Sequence, residues 1–447
     1  MRRDLDLVLF GATGFVGRLT AAYLAEHAPT GLRIALSGRD RHRLEALRRQ
    51  LPRSAAAWEI VVVDAADAGG LAALAARTHV LVTTVGPYVR FGMPLVQACA
   101  HAGTYYCDLT GEVLFVRASA DAWHETARST GARIVHACGF DSIPSDLGVM
   151  LTADAAAAAG DGELTRTLLS VRAMKGGLSG GTFDSMRQQA IAMRHDPTAR
   201  AIVADPYALS PDRDAEPDRD PRSTAEGRPT GSPDGIPTAG SGEPSAHRGG
   251  LAGLARRLPL RRDGRSGHWT APFVMAGFNT RIVRRSNALL GWRYGRGLRY
   301  HEVLDMGSGA MAPVRAAGMS ATLLSLGVGL SFAPTRVVVD RLLPRPGEGP
   351  SPAQRDAGRF ALVIDAQTSG GAAYRTQVAA DRDPGYDGTA VMLGETALAL
   401  ALDTDRLPEA AGVLTPATAV GHVLVDRLVA QGFTLETRRT ATGVASG

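Results

Sequence analysis

Three features of the sequence predict a doubly wound α/β fold built on a parallel sheet. Over the first 140 residues, short apolar runs alternate with stretches of helical periodicity. The apolar runs are nearly continuous, as strands covered on both faces require. A glycine-rich turn joins the first run to the first helical stretch, with Gly11, Gly14 and Gly17 spaced GxxGxxG.

The elements follow in order. LDLVLF at 5–10 reads as the first strand, and FVGRLTAAYLAEHA at 15–28 as a helix with Val16, Leu19, Tyr23 and Leu24 near one face. LRIALSG at 32–38 is a second strand, followed by an arginine-rich helix, DRHRLEALRRQL. EIVVVDAAD at 59–67 is a third strand and HVLVTTVGPY at 79–88 a fourth, with the helix MPLVQACAHAG behind it. YYCDLTG at 105–111 is a short fifth strand, DAWHETARSTG a helix, and ARIVHACGF at 132–140 a sixth strand.

Residues 1–150 are therefore assigned to one domain, and 151–384 to an inserted α+β domain. In the latter, RFALVIDAQTSG at 359–370 and AAYRTQVAA at 372–380 read as paired antiparallel strands that break at Ser369-Gly370-Gly371. The stretch 205–267 is rich in Pro, Gly, Ser, Asp and Arg. It is poor in large apolar residues and is expected to be a disordered insertion. DGTAVMLGETALALALD at 387–403 reads as a long apolar helix, and 385–447 is expected to return as helices onto the first domain.

Composition narrows the function classes. A net charge of +5 over 447 residues is too small an excess to mark nucleic-acid binding. The three cysteines form no CxxC pair, and the odd number is no disulfide framework, so a reducing cytoplasm is expected. MRRDLDLVLF enters the glycine loop as a strand and does not read as a secretory signal. Two segments point to peripheral lipid contact at the inner face of the plasma membrane as an alternative to simple cytoplasmic residence. They are basic LAGLARRLPLRR at 251–262 and 316–335, about 20 residues without a charge. For the second, a buried or interfacial place in the protein is the reading favoured here.

The strand–loop–helix setting of the glycines is that of a dinucleotide-binding (Rossmann) turn. Gly11 permits the tight turn, Gly14 a close approach to a pyrophosphate, and Gly17 close helix–strand packing. Thr13, Phe15 and Val16 between them are expected to line the cofactor. The second strand ends Ser37-Gly38-Arg39, where an NAD site usually carries an acid. A guanidinium suits a 2′-phosphate, so NADP is expected over NAD. Asp64, at the third strand's end, either reaches the adenine or caps a turn. Val85, Gly86 and Pro87, after the fourth strand, are expected near the nicotinamide ribose.

Catalytic groups are harder to place. Lys175 is the only lysine, and Val171 stands four residues before it, so the Tyr-x-x-x-Lys of short-chain dehydrogenases is absent. No HxxxH or HExxH occurs, and no metal site is expected. Asp108, Glu112 and Asp141 follow the later strands, where open α/β sheets bind ligands. They are candidates for orienting substrate or relaying a proton, with helix or turn capping as the competing reading for acids of this kind.

The blocks GATGFVGRLTAAYLA, SGRDRHRLEAL, TTVGPYVRFGMPLVQACAHAGTYYCDLTGE, CGFDSIPSDLG, GGTFDS and DPGYDGTAVMLGETALAL together resemble the saccharopine dehydrogenase-like oxidoreductases, and within them the trans-acting enoyl reductases of actinobacteria. The likeness spans nearly the whole chain except 205–267. It implies NADPH-dependent reduction of an enoyl or polyketide acyl thioester in lipid assembly, beside a polyketide synthase partner. It also implies a hydrogen-bond donor near the thioester oxygen, for which Tyr88 or Gly180-Gly181-Thr182 would serve. Two readings compete with it: oxidoreduction of an imine or amino acid, and a lipid-associated nucleotide fold without catalysis.

Overall fold

The computed structural model describes residues 3–176, 180–216, 261–264, 266–331 and 349–440. The first domain runs β1 (Leu5–Phe10), α1 (Phe15–His27), β2 (Ile34–Gly38), α2 (Arg41–Gln50), β3 (Glu59–Val62), α3 (Ala68–Arg77), β4 (Thr78–Thr83), α4 (Tyr88–Phe91), α5 (Met93–Ala102), β5 (Tyr105–Asp108), α6 (Val113–Thr130), β6 (Arg133–Val135) and α7 (Ile143–Ala158). The second domain runs β7 (Leu164–Lys175), α8 (Gly180–His195), α9 (Pro197–Ala204), β8 (Arg261–Arg262), β9 (Trp269–Pro272), α10 (Ala276–Leu289), β10 (Arg299–Gly307), α11 (Ala312–Ser331), α12 (Pro352–Asp356), β11 (Arg359–Thr368) and β12 (Ala373–Ala380). The chain closes with α13 (Asp387–Leu402), β13 (Gly412–Leu414), α14 (Pro416–Ala419), α15 (Gly421–Ala430) and β14 (Thr434–Thr440).

The first sheet is fully parallel, in the order β13-β6-β5-β4-β1-β2-β3. Successive β1 residues point to opposite faces, and both faces are covered. Leu7 and Leu9 meet Leu24 of α1, Leu44 of α2 and Leu398 of α13. Val8 and Phe10 meet Leu71 of α3, Val96 of α5 and Phe115 of α6. That two-sided burial is why the strand sequences lack polar alternation. Local capping sets the helix starts: Asp40 accepts from Arg43 N at α2, and Asp67 from Gly70 N at α3.

The second sheet is mixed, in the order β14-β12-β11-β7-β10-β9-β8. The expected antiparallel pair β11–β12 is present, with Phe360 opposite Ala380. Helix α7 lies between the two sheets, with Thr152 Oγ1 hydrogen-bonded to Thr376 Oγ1 of β12 at 2.6 Å. Helix α13 packs on α1 as expected. Its Glu395 is buried and accepts from Tyr23 and, at 2.8 Å, from Arg427 Nη1.

Three expectations change. The C-terminal region is more than returning helices: β13 is the seventh strand of the parallel sheet and β14 an edge strand of the mixed one. The disordered insertion was drawn too wide. Tyr207, Ala208 and Leu209 are buried, and β8 pairs with β9. Buried arginines of α10 hold the 203–209 segment. Arg281 donates to the carbonyls of Val203 and Asp205, Arg284 to Pro206, and Arg285 to Leu209 and Val413. Residues 217–260 lie outside the described residues, as does 251–260 of the basic segment. Finally, part of the charge-free segment at 316–335 lies in α11. Ala312, Ala316 and Ser320 of that helix are buried, while Met311, Val314 and Leu324 in the same region are exposed. Among the described residues no helix is long and apolar enough to cross a membrane.

Candidate functional site: the cleft at the carboxyl edge of the parallel sheet

The glycine turn closes tightly between β1 and α1. Gly11 N donates to Ser37 O at 2.9 Å, and Gly14 N to Gly11 O at 3.0 Å. Gly11 has φ +84°, a left-handed conformation, and a Cβ there would lie 2.6 Å from Val85 Cγ2. A Cβ on Gly17 would lie 2.3 Å from the Gly11 carbonyl oxygen. Helix α1 then starts at Phe15 with no acid in its first turn. The amides of Phe15, Val16 and Gly17 therefore head the helix without intrahelical partners, which is the arrangement that binds a diphosphate. Thr13 is held by its carbonyl, which accepts from Arg18 Nη1 at 2.9 Å.

The adjoining strand end fits a phosphorylated ribose. Ser37 is fully buried, yet its Oγ has no hydrogen-bond partner. Arg39 is exposed and makes no ion pair or hydrogen bond with any described residue. A buried hydroxyl and an uncommitted guanidinium thus stand side by side at the end of β2, a donor set suited to a 2′-phosphate. Arg41 is different: it sits on the outer face of α2, 3.9 Å from Glu45. Asp64 accepts from Ala66 N at 2.9 Å, so its carboxylate closes a turn. Across the cleft, Val85 is half-buried, Gly86 exposed and Pro87 buried. Thr84 Oγ1 donates to the Gly11 carbonyl at 3.0 Å, tying this loop to the glycine turn.

The catalytic candidates separate sharply by environment. Tyr88 is buried: its hydroxyl donates to Thr83 O at 3.2 Å and accepts from Leu109 N at 3.2 Å. It is an internal brace with no open face for a substrate oxygen. Asp108 is wholly buried and saturated. It accepts from Thr110 N at 3.1 Å, Ala137 N at 3.0 Å and Tyr106 Oη at 2.8 Å, and pairs with His136 Nδ1 at 2.7 Å. His136 Nε2 in turn meets Ser119 Oγ at 2.8 Å. This knot joins β5 to the β6 loop, and the acceptor oxygens of Asp108 are taken up within it. Glu112 accepts from Tyr88 N and Val89 N, capping α4, and from Ser185 Oγ of α8.

Asp141 alone of these acids is uncommitted. It follows β6 at the head of the cleft, is partly exposed, and makes no hydrogen bond or ion pair with any described residue. Desolvation by the surrounding protein pushes its carboxyl up to about 6. Its Oδ2 would sit 3.5 Å from a Cβ on Gly111, in the loop after β5. Both neighbours are locked: Phe140 N donates to Thr389 Oγ1 at 3.1 Å, and Ser142 Oγ to Asn279 Oδ1 at 3.2 Å. The loop is rigid and the carboxyl it presents is free. Gly180, Gly181 and Thr182 head α8, with the Gly180 amide bonded to Tyr386.

A glycine turn heading a helix, with an uncommitted arginine at the end of the next strand, is the arrangement of dinucleotide-binding domains. The family model described as the saccharopine dehydrogenase NADP binding domain matches residues 7–135. The chain is 48% identical over 448 residues to a Mycobacterium tuberculosis protein named as a candidate trans-acting enoyl reductase, covering 98% of this chain and 99% of that one. It is 44% identical over 441 residues to the trans-acting enoyl reductase of Mycobacterium bovis, covering 98% of each. In fold it is similar to the saccharopine dehydrogenase (L-Glu forming) of Saccharomyces cerevisiae, with TM-score 0.50 at 11% identity over 97% of this chain and 99% of that one. The protein is an NADP-dependent oxidoreductase of the saccharopine dehydrogenase-like class. Within that class it belongs to the trans-acting enoyl reductase family.

Arg39 is expected to carry the preference for NADP. Arg39→Asp should weaken NADPH binding about a hundredfold and change NADH binding by no more than about threefold, because only NADPH loses a charge-assisted contact. Titration of both nucleotides by fluorescence tests this; equal losses would remove Arg39 from the 2′-phosphate site.

Proposed function

We propose that the protein reduces the carbon–carbon double bond of an α,β-unsaturated acyl thioester, carried to it by a synthase of long-chain lipids, and that Asp141 is the proton donor. NADPH, when bound, supplies the hydride that the β-carbon receives. The α-carbon then needs a proton, and the Asp141 carboxyl keeps one up to about pH 6 because its surroundings resist its ionisation. The thioester oxygen gathers negative charge between the two transfers. The N-terminus of α8, headed by Gly180, Gly181 and Thr182, would offer positive potential for it.

The single observation behind this reading is that Asp141 is elevated, rigidly mounted and unpartnered, while Asp108 and Glu112 are consumed by the fold. The test is NADPH oxidation with a 2-enoyl thioester of pantetheine, followed by identification of the saturated product. Turnover of an imine adduct in place of the enoyl thioester would replace this reading with amino-acid oxidoreduction.

A further inference from the structure

A second cation enters the cofactor turn from the far domain. The chain returns from α11 at Gly349, directly against Phe15: a Cβ on Gly349 would come within 2.3 Å of the ring's Cζ. The short helix α12 follows, started by a capping box between Ser351 and Gln354. It sets Arg355 with its Cζ 5.8 Å from the centre of the same ring. Arg18 approaches that ring at 5.6 Å, and Tyr386 stands edge-on at 4.9 Å. Phe15 is the first residue of α1, so Arg355 lies over the helix head that faces the diphosphate.

Arg355 is also underused. Its side chain is only 15% exposed, and its Nε is buried without a partner. Among the described residues its one hydrogen bond runs from Nη1 to Asp387 Oδ1 at 3.1 Å. A guanidinium has five N–H donors in a fixed fork. The buried arginines of α10 also leave Nε unpartnered at Arg284 and Arg285, but spend their other groups on carbonyls: Arg285 gives both Nη atoms to two, and Arg281 gives Nε and Nη2 to two more. Arg355 instead holds a single contact to one oxygen of a partly exposed acid, with the rest of its fork unspent.

We propose that Arg355 is a phosphate-binding residue of the cleft, supplied by the second domain, which exchanges Asp387 for a phosphate anion when ligand binds. Two phosphates reach such a cleft: the cofactor's diphosphate, and the phosphate of a pantetheine arm bearing the substrate. Either gains a planar fork of donors suited to bidentate contact.

The experiment compares wild type with Arg355→Ala, Arg355→Lys and Asp387→Asn in three assays, with melting temperature followed for each. The assays are NADPH affinity, affinity for adenosine 2′,5′-bisphosphate, and KM for enoyl thioesters of phosphopantetheine and of N-acetylcysteamine. If the diphosphate is the ligand, Arg355→Ala weakens NADPH by about tenfold or more and weakens the bisphosphate by less, since the bisphosphate keeps only the adenosine-side 5′-phosphate of the diphosphate. If the arm is the ligand, NADPH affinity holds while KM rises for the phosphopantetheine thioester alone. Arg355→Lys recovers part of either loss, because it keeps charge without the fork. Asp387→Asn leaves affinity unchanged or tighter, having released the arginine. The proposal is overturned if Arg355→Ala alters none of these, if every ligand weakens together with a fall in melting temperature, or if Asp387→Asn weakens binding as much as Arg355→Ala. Failure here leaves the enoyl-reductase reading standing, because that reading rests on Asp141 and on the product formed.

Discussion

Asp141→Asn is expected to lower kcat by about a thousandfold with NADPH affinity unchanged, the loss typical of removing a positioned acid. The substitution is nearly isosteric and breaks no contact, since Asp141 makes none with the described residues. The pH profile should carry the sign of a required acid. With the carboxyl raised from 3.8 to about 6, wild-type activity holds below about pH 6 and falls as pH rises through it. In the Asn variant that limb disappears. Stability should follow the same pH direction. A carboxyl whose folded value is raised contributes stability below its unfolded value, and loses that contribution as pH rises through the folded one. Asparagine has no such loss, so above pH 6 the variant should be more stable, by at most about 3 kcal/mol before screening through the cleft mouth. Denaturant titrations at acid and neutral pH beside initial rates check both halves. A variant retaining a tenth of wild-type turnover would falsify the assignment.

Gly17→Ala is the second large effect. The added methyl would stand 2.3 Å from the Gly11 carbonyl oxygen and 3.0 Å from the Ala12 backbone, and backbone atoms cannot swing aside as a flexible side chain can. Either the glycine turn opens or α1 shifts away from β1. Overpacking of this kind costs about 1–3 kcal/mol. The diphosphate amides lose their common aim as well, so NADPH affinity should fall by about a hundredfold or more. Gly38→Ala is the matched control at the neighbouring strand end. Its methyl would meet Leu44 at 3.8 Å, an ordinary contact, and binding should persist. Calorimetric titration with NADPH separates the two, and wild-type affinity in Gly17→Ala would show that the turn is not the diphosphate site.

The first six parallel strands in chain order, the glycine turn and the arginine that follows β2 were legible in the sequence because each depends on local rules. A strand buried on both faces must be apolar throughout, a left-handed turn selects glycine, and a 2′-phosphate selects a cation at one fixed place in the fold. The misjudged segments fail those rules for identifiable reasons. Residues 205–216 have the composition of a loop, yet arginines more than seventy positions away accept the task of satisfying their carbonyls. Strand β13 is only three residues long, and β14 is a polar edge strand, so neither carries a periodic signal. Arg355 lies in a short polar helix with no motif around it.

The sequence by itself determined the fold class, the cofactor and the three acids at the sheet's carboxyl edge. It could not rank those acids, because Asp108, Glu112 and Asp141 are the same chemistry at equivalent strand ends. Tertiary structure decided among them. Asp108 is neutralised by His136 and by amides on two loops, and Glu112 is taken by Ser185 and the head of α4. Asp141 is desolvated and left without a partner. Hydrogen-bond partners and desolvation come from residues distant in the chain, so which of these three acids keeps an uncommitted carboxyl emerges only once the chain has folded.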